Sequence, residues 1–224
     1  MIEVRDVTHS YGDRTLLRSV SVTLTERRVA VLGANGSGKS TFARLINGLI
    51  VPRKGEVRVH GHSTRTAAAA VRHIVGFVFT DPDAQIVMPT VAEDVAFGLR
   101  RLRLKPEETR QRVFSALSGL GLEIFADHPA HLLSGGEKQL LALCSVLVTE
   151  PLILVCDEPT TLLDRRNTRQ VLEILAGLPQ QVVLVTHDLD GVAGYDRVLV
   201  FDEGRIVADG FPHQAVDHYR ALVG

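Results

Sequence analysis

The sequence predicts an α/β fold, in which a core of buried strands alternates with helices, strands at the N-terminal end form an antiparallel β region, and a helical segment is inserted in the middle. Three observations carry the prediction. Apolar runs at 29–32, 74–79, 152–156 and 182–186 are short and continuous, as in strands buried on both faces. A glycine-rich stretch at 33–38 separates the first run from a helical pattern. From Thr90 to about Ala130 the apolar spacing changes to a helix period. With 224 residues, 45% of them hydrophobic, the chain suits one domain spanning 1–224. Its core and antiparallel region take up about 1–80 and 150–224, and its helical part about 84–148.

The elements follow in order. Ile2, Val4 and Val7 read as a strand, and Tyr11-Gly12-Asp13 is a turn signal. Val20, Val22 and Leu24 alternate with polar residues in a second strand. Residues 39–47 read as a helix that stops at Gly48. Val57 and Val59 mark another alternating strand. Val91, Val95, Leu99 and Leu102, then Val113, Leu117 and Leu120, carry the helical period of the insert. Pro106-Glu107-Glu108 starts a helix, with proline at the first turn and acids at the positive end of the dipole. Residues 167–176 form a further helix, and 198–201 and 205–208 flank the hairpin turn Asp202-Glu203-Gly204. The alanine run 67–70 is assigned to no element, and there is no internal repeat.

Composition excludes several classes. Lys and Arg number 25 against 26 Asp and Glu, without the basic balance of a nucleic-acid binder. The nine histidines show no metal-ligand spacing. Cys144 and Cys156 lie in apolar runs and read as buried, inert thiols. Residues 1–6 have no long apolar core and no apolar run reaches the roughly 18 residues of a membrane helix, so a membrane role is expected through partners. The basic run 100–105 reads as a solvated helix end, with lipid headgroups or a membrane partner as the other possibility.

Gly33-Ala34-Asn35-Gly36-Ser37-Gly38-Lys39-Ser40-Thr41 matches the phosphate-binding pattern G-x-x-x-x-G-K-[ST]. Glycines let the backbone curl so that N–H groups point at phosphate oxygens, and the helix from Lys39 adds its positive end. Lys39 places a charge on the β- and γ-phosphates, and the Ser40 hydroxyl ligates Mg²⁺. The strand at 152–156 ends in Asp157-Glu158-Pro159. At the carboxyl end of a buried strand, Asp157 is placed to hold Mg²⁺ through water, and Glu158 to polarise the attacking water. Leu133-Ser134-Gly135-Gly136-Glu137-Lys138-Gln139 is a second helix N-terminus with exposed N–H groups. One γ-phosphate does not need two cradles in one chain, so this surface is expected to serve ATP bound to a second subunit.

These motifs resemble the ATP-binding-cassette (ABC) family over nearly the whole chain. Further matches are Leu163-Asp164, at the family's D-loop, His187, at its switch histidine, and Tyr11, where the family stacks an aromatic ring on adenine. The resemblance implies a P-loop NTPase core with an N-terminal antiparallel β subdomain and a helical subdomain that carries the signature at 133–139. It also implies a head-to-tail dimer, with a second copy or a paralogous ATPase, that closes on two ATP and two Mg²⁺. His187 then contacts the γ-phosphate, Ser134 and Gly136 contact the opposite subunit's ATP, and closure drives a membrane partner. Two rivals, a soluble ABC protein of translation or repair and a small-molecule kinase, lack support. The chain has neither a second cassette nor a coiled-coil insert, and a kinase leaves the signature unexplained.

Residues 75–85 and 90–99, which include Asp81-Pro82-Asp83-Ala84-Gln85 and Glu93-Asp94-Val95-Ala96-Phe97-Gly98, resemble the energy-coupling-factor importers of vitamins and transition-metal ions. This implies a transmembrane coupling subunit, a membrane-embedded substrate-binding subunit and a peripheral place on the cytoplasmic face of the inner membrane. The ATPases of biotin importers are the most similar, with cobalt or nickel importers as the alternative. Where the family has a glutamine that reaches Mg²⁺, this chain has Thr80, whose shorter side chain puts direct metal contact in question. Gln85 is expected on the coupling surface.

Overall fold

The computed structural model describes residues 1–223. Two sheets face each other. In the first, the long strands β1 (Ile2–Tyr11) and β2 (Arg14–Leu24) form an antiparallel hairpin. The second sheet begins with β3 (Arg28–Gly33). The chain then returns to the first sheet through β4 (Lys54–Val59), antiparallel to β1, and the short β5 (His62–Ser63), giving the order β2-β1-β4-β5. Besides β3, the second sheet holds β6 (Val75–Val78), β7 (Ile153–Asp157), β8 (Gln181–Val185), β9 (Arg197–Asp202) and β10 (Arg205–Gly210). Its order is β10-β9-β3-β8-β7-β6, parallel throughout except for the β9–β10 hairpin.

Period-two geometry explains why the runs in this sheet are continuously apolar. Val29, Val31, Ile153, Val155, Val183 and Val185 point into a core shared with the antiparallel sheet and with Phe42, Leu45 and Ile46 of α1 (Lys39–Ile46). Their neighbours Ala30, Leu32, Leu154, Cys156, Val182 and Leu184 point to the opposite face. There they meet the insert helices α3 (Val91–Leu99), α4 (Pro106–Gly119) and α5 (Gly135–Leu147), and Val171 and Leu175 of α6 (Arg165–Gly177). In register, Val31 opposes Val185, Val185 opposes Asp157, and Cys156 opposes Val78. The loops after four parallel strands therefore gather at one edge, where open α/β sheets bind ligands.

The helix starts are chemically defined. Thr90 with Glu93, and Ser134 with Glu137, form capping boxes on α3 and α5, and Asp164 caps α6. Two helices were not expected. α2 (Ala68–Ile74) fully buries only Val71, with Ile74 packed beside it, so its apolar stripe is too short to read as a helix and packing on the core holds it. α7 (Pro212–Val223) packs Ala215, Val216 and Tyr219 on the core. Its start follows from Pro212 at the first turn. Leu102 leaves the helical pattern: α3 ends at Leu99, and Leu102 lies exposed in a following 3₁₀ turn. Both cysteines are fully buried, and burial pushes the Cys144 thiol up to about 12 and Cys156 higher still, as expected of inert thiols. Among the described residues no helix is long and apolar enough to cross a membrane.

Candidate nucleotide site

The glycine loop leaves β3 at Gly33, whose φ is 150°. A Cβ there would lie 2.3 Å from the Phe201 carbonyl oxygen, so glycine is required by close approach to β9. Gly38 (φ 108°) has the same restriction, with a Cβ 2.6 Å from the Leu16 carbonyl oxygen. The first helical bond of α1 runs from Phe42 N–H to Gly38 C=O at 2.9 Å. The N–H groups of Lys39, Ser40 and Thr41 thus have no partner within the helix and open toward the loop. Asn35 and Gly36 are exposed, and Ser37 is buried with no hydrogen-bond partner for its hydroxyl. An orphaned hydroxyl beside the unpaired N–H groups of the first turn of α1 is the chemistry an anion satisfies.

Lys39 is buried and curls back on this loop, its Nζ donating to Gly33 O at 2.7 Å and Ala34 O at 3.0 Å. Burial lowers its pKa, against the opposing pull of Glu158 and Asp157. Glu158 Oε1 lies 3.7 Å from Nζ. Ser40 Oγ donates to Asp157 Oδ1 at 2.7 Å, and the Arg44 guanidinium lies 3.7 Å from Oδ2. Burial raises the Asp157 carboxyl above its ordinary value, while the Ser40 hydrogen bond and Arg44 pull it down.

Glu158 follows at φ 51°, and its N–H donates to Val185 O at 2.9 Å. Its Oε2 accepts from Thr161 Oγ1 at 3.0 Å and lies 3.4 Å from His187 Nδ1. Thr80 Oγ1 donates to the Asp157 carbonyl oxygen at 2.6 Å. Lys39, Ser40, Thr80, Asp157, Glu158 and His187 therefore form one connected cluster, although their numbers span most of the chain. The described residues hold no group of three or more His, Cys, Asp or Glu that would cage a metal. Ser40 and Asp157 offer two hard oxygen donors, which suits a cation that keeps water and phosphate oxygens in its shell.

Tyr11 stands at the end of β1, 53% exposed, edge-on to His9 with ring centroids 5.0 Å apart. It faces Arg14 across the hairpin, and Arg14 Nη2 is 3.4 Å from where a Cβ on Gly36 would stand. The hairpin thus overhangs the phosphate loop. Ser134 and Gly136 lie elsewhere. Ser134 is occupied with its capping box, and Gly136 is packed so closely that a Cβ would lie 2.5 Å from Asn167 Cγ of α6. Among the described residues no hydrogen bond joins these two to the Lys39 cluster.

Sequence reasoning missed Arg14, Arg44 and Thr161. Arg44 had a signal, since it lies four residues after Ser40 on one face of α1. Gln85 needs correction. It does not face outward: its Oε1 accepts from Phe79 N–H at 3.2 Å and its Nε2 donates to Ala142 O at 2.9 Å. A partly buried amide beside two backbone groups satisfies them in preference to water.

Residues 17–161 match the family model described as ABC transporter. The chain belongs to the ABC transporter family. A Deinococcus radiodurans protein named only at the level of ABC transporter ATP-binding protein is 52% identical over 98% of this chain and 97% of its own length. The biotin transport ATP-binding protein BioM of Rhizobium etli is 48% identical, with 95% of each chain covered. Among solved structures, CbiO1 of Clostridium perfringens, part of the ABC transporter complex CbiONQ, superposes with a TM-score of 0.85 at 33% identity, covering 99% of this chain and 92% of that one. The chain is accordingly an ATP-binding, ATP-hydrolysing subunit of the BioM, CbiO and EcfA type.

Proposed function

We propose that this ABC ATPase is the energy-coupling subunit of an energy-coupling-factor importer and that it works as a dimer closed around two ATP and two Mg²⁺. The observation that carries the catalytic half is the connected cluster of Lys39, Ser40, Asp157, Glu158 and His187 at one sheet edge. Backbone N–H groups of the loop and Lys39 neutralise the phosphates. Lys39 gives up Gly33 O and Ala34 O for oxygens of the nucleotide. Ser40 and Asp157 hold Mg²⁺, which when bound supplies positive charge to the β- and γ-phosphate oxygens. Glu158 accepts a hydrogen bond from the attacking water and draws its proton away, and His187 faces the γ-phosphate from the other side. Tyr11 stacks on adenine. Ser134 and Gly136, remote from the cluster in their own chain, close over the ATP of a second subunit. A relative of 29% identity, superposing with a TM-score of 0.85, was solved as a dimer bound to ADP and Pi, which supports this arrangement.

The membrane partners are a transmembrane coupling subunit and a substrate-binding subunit, with the ATPase on the cytoplasmic face. Biotin is the favoured cargo, since two relatives of 48% and 41% identity over nearly the whole chain are named for biotin transport. Cobalt is the second reading, favoured by the 42% identical Syntrophus aciditrophicus protein named for cobalt import. Cells that carry the ATPase and its co-purifying membrane proteins are assayed for uptake of labelled biotin and of labelled cobalt. Accumulation of biotin alone, lost on Glu158→Gln, supports the first reading. Accumulation of cobalt alone replaces it with the second.

A further inference from the structure

The segment after β6 is tied to the helix α5 by several side chains, and the hydroxyl of Thr80 ties it to the end of β7. Gln85 bridges Phe79 N–H and Ala142 O of α5, and Gln139 Nε2, also on α5, donates to Phe79 O at 3.5 Å. Lys138 pairs with Asp83 at 2.8 Å. Buried Asp94 accepts from Val87 N–H, Met88 N–H and, at 2.8 Å, the Ser145 hydroxyl of α5. The chain from Phe79 to Asp94 is therefore fastened to the helix that carries Ser134 and Gly136. On its other side, Thr80 donates its hydroxyl to the Asp157 carbonyl oxygen.

That carbonyl belongs to the Asp157–Glu158 peptide, whose N–H is held by Val185 O. A peptide unit is planar, so gripping its oxygen from Thr80, just past β6, and its nitrogen from β8 fixes its rotation and the direction in which Glu158 leaves the strand. Glu158 has φ 51°, a conformation that a residue with a side chain keeps only when its surroundings impose it. We infer that Thr80 is a positioning residue: through the Asp157 carbonyl it fixes the direction in which the catalytic carboxylate of Glu158 leaves the strand, with Gln85 as the strut that holds the segment carrying Thr80 in place against α5. Thr80 thus acts on the reaction without touching nucleotide or metal.

The inference rests on Glu158 serving ATP hydrolysis as proposed above. Thr80→Val keeps the shape and removes the donor, and Thr80→Ser restores it. Steady-state ATP hydrolysis is measured for both, with titrations of ATP and Mg²⁺. Thr80→Val is expected to lower kcat about tenfold while KM and the Mg²⁺ midpoint stay within about twofold, and Thr80→Ser to recover most of the rate. Gln85→Leu is expected to lower kcat as well, and the double variant to be no slower than the weaker single variant, as for two links of one chain. Wild-type kcat in Thr80→Val, a shifted Mg²⁺ midpoint in place of a lower kcat, no rescue by serine, or additive losses in the double variant each overturn it. If the wild-type protein itself turns over no ATP, the proposed function fails instead.

Discussion

Glu158 and Asp157 are adjacent in sequence, yet their surroundings give them different tasks. Glu158 is reached by Thr161, Lys39 and His187 and keeps one edge toward solvent, as a group that must meet water does. Glu158→Gln removes the proton acceptor and keeps the shape. We expect kcat to fall about 10²- to 10⁴-fold, with ATP affinity within about twofold, measured by phosphate release and by equilibrium binding of labelled ATP. Asp157 is almost wholly buried, and burial raises its pKa in the folded state. The folded protein then keeps a proton over a window that starts at the ordinary carboxylate value, about 3.9, and extends upward. Across that window the unfolded chain has already released it. Stability therefore falls as pH rises through the window. Asp157→Asn keeps an acceptor for Ser40 and removes the charge. Without nucleotide it should melt at a higher temperature at neutral pH, with a flatter pH dependence, by scanning calorimetry. Stabilisation by Mg²⁺-ATP should shrink in the same variant.

At the scale of elements, the contact between α5 and α6 explains one signature glycine within a single chain. A Cβ at Gly136 would overlap the Asn167 amide, which is itself held by Asp164 at 3.1 Å. Gly136→Ala should cost about 1–3 kcal/mol in urea unfolding, the usual range for overpacking, and Asn167→Ala added to it should recover part of that loss. Gly135 has open space around it, so Gly135→Ala should leave the fold nearly as stable and serves as the control. The β9–β10 hairpin has a different fastening. Arg197 pairs in bidentate fashion with Asp209 at 2.6 and 2.7 Å and reaches Glu26 at 3.0 Å, tying both hairpin strands to the turn before β3. Arg197→Ala should lower stability by about 1–3 kcal/mol through a shifted urea midpoint at unchanged slope.

For the whole molecule, the two proposed anion-binding surfaces lie on different elements: Lys39 at the start of α1 on the sheet edge, Ser134 and Gly136 at the start of α5 on the insert. Glu158→Gln with excess Mg²⁺-ATP should therefore double in mass in sedimentation, and Ser134→Arg in the same background should remain a monomer. A strictly monomeric Glu158→Gln would remove the dimer from the proposal. The buried strands, the phosphate loop and the Asp157-Glu158 pair were legible in the sequence, because apolar periodicity and glycine spacing are local physical signals. α2 and α7 were not, since one has a stripe of only two large apolar residues, Val71 and Ile74, and the other gains its stability by docking on β9. Gln85 was misplaced because nothing in its neighbourhood in sequence announces that Phe79 N–H and Ala142 O need a partner. By itself the sequence determined the family, the parallel core and the residues proposed to handle phosphate, all of which depend on short-range pattern. Only the tertiary structure decided that Thr80 holds the Asp157 carbonyl, that Asn167 limits position 136 and that Arg44 reaches Asp157. Those contacts join residues from separate elements, and their geometry exists only once the sheet has brought its strand ends to one edge.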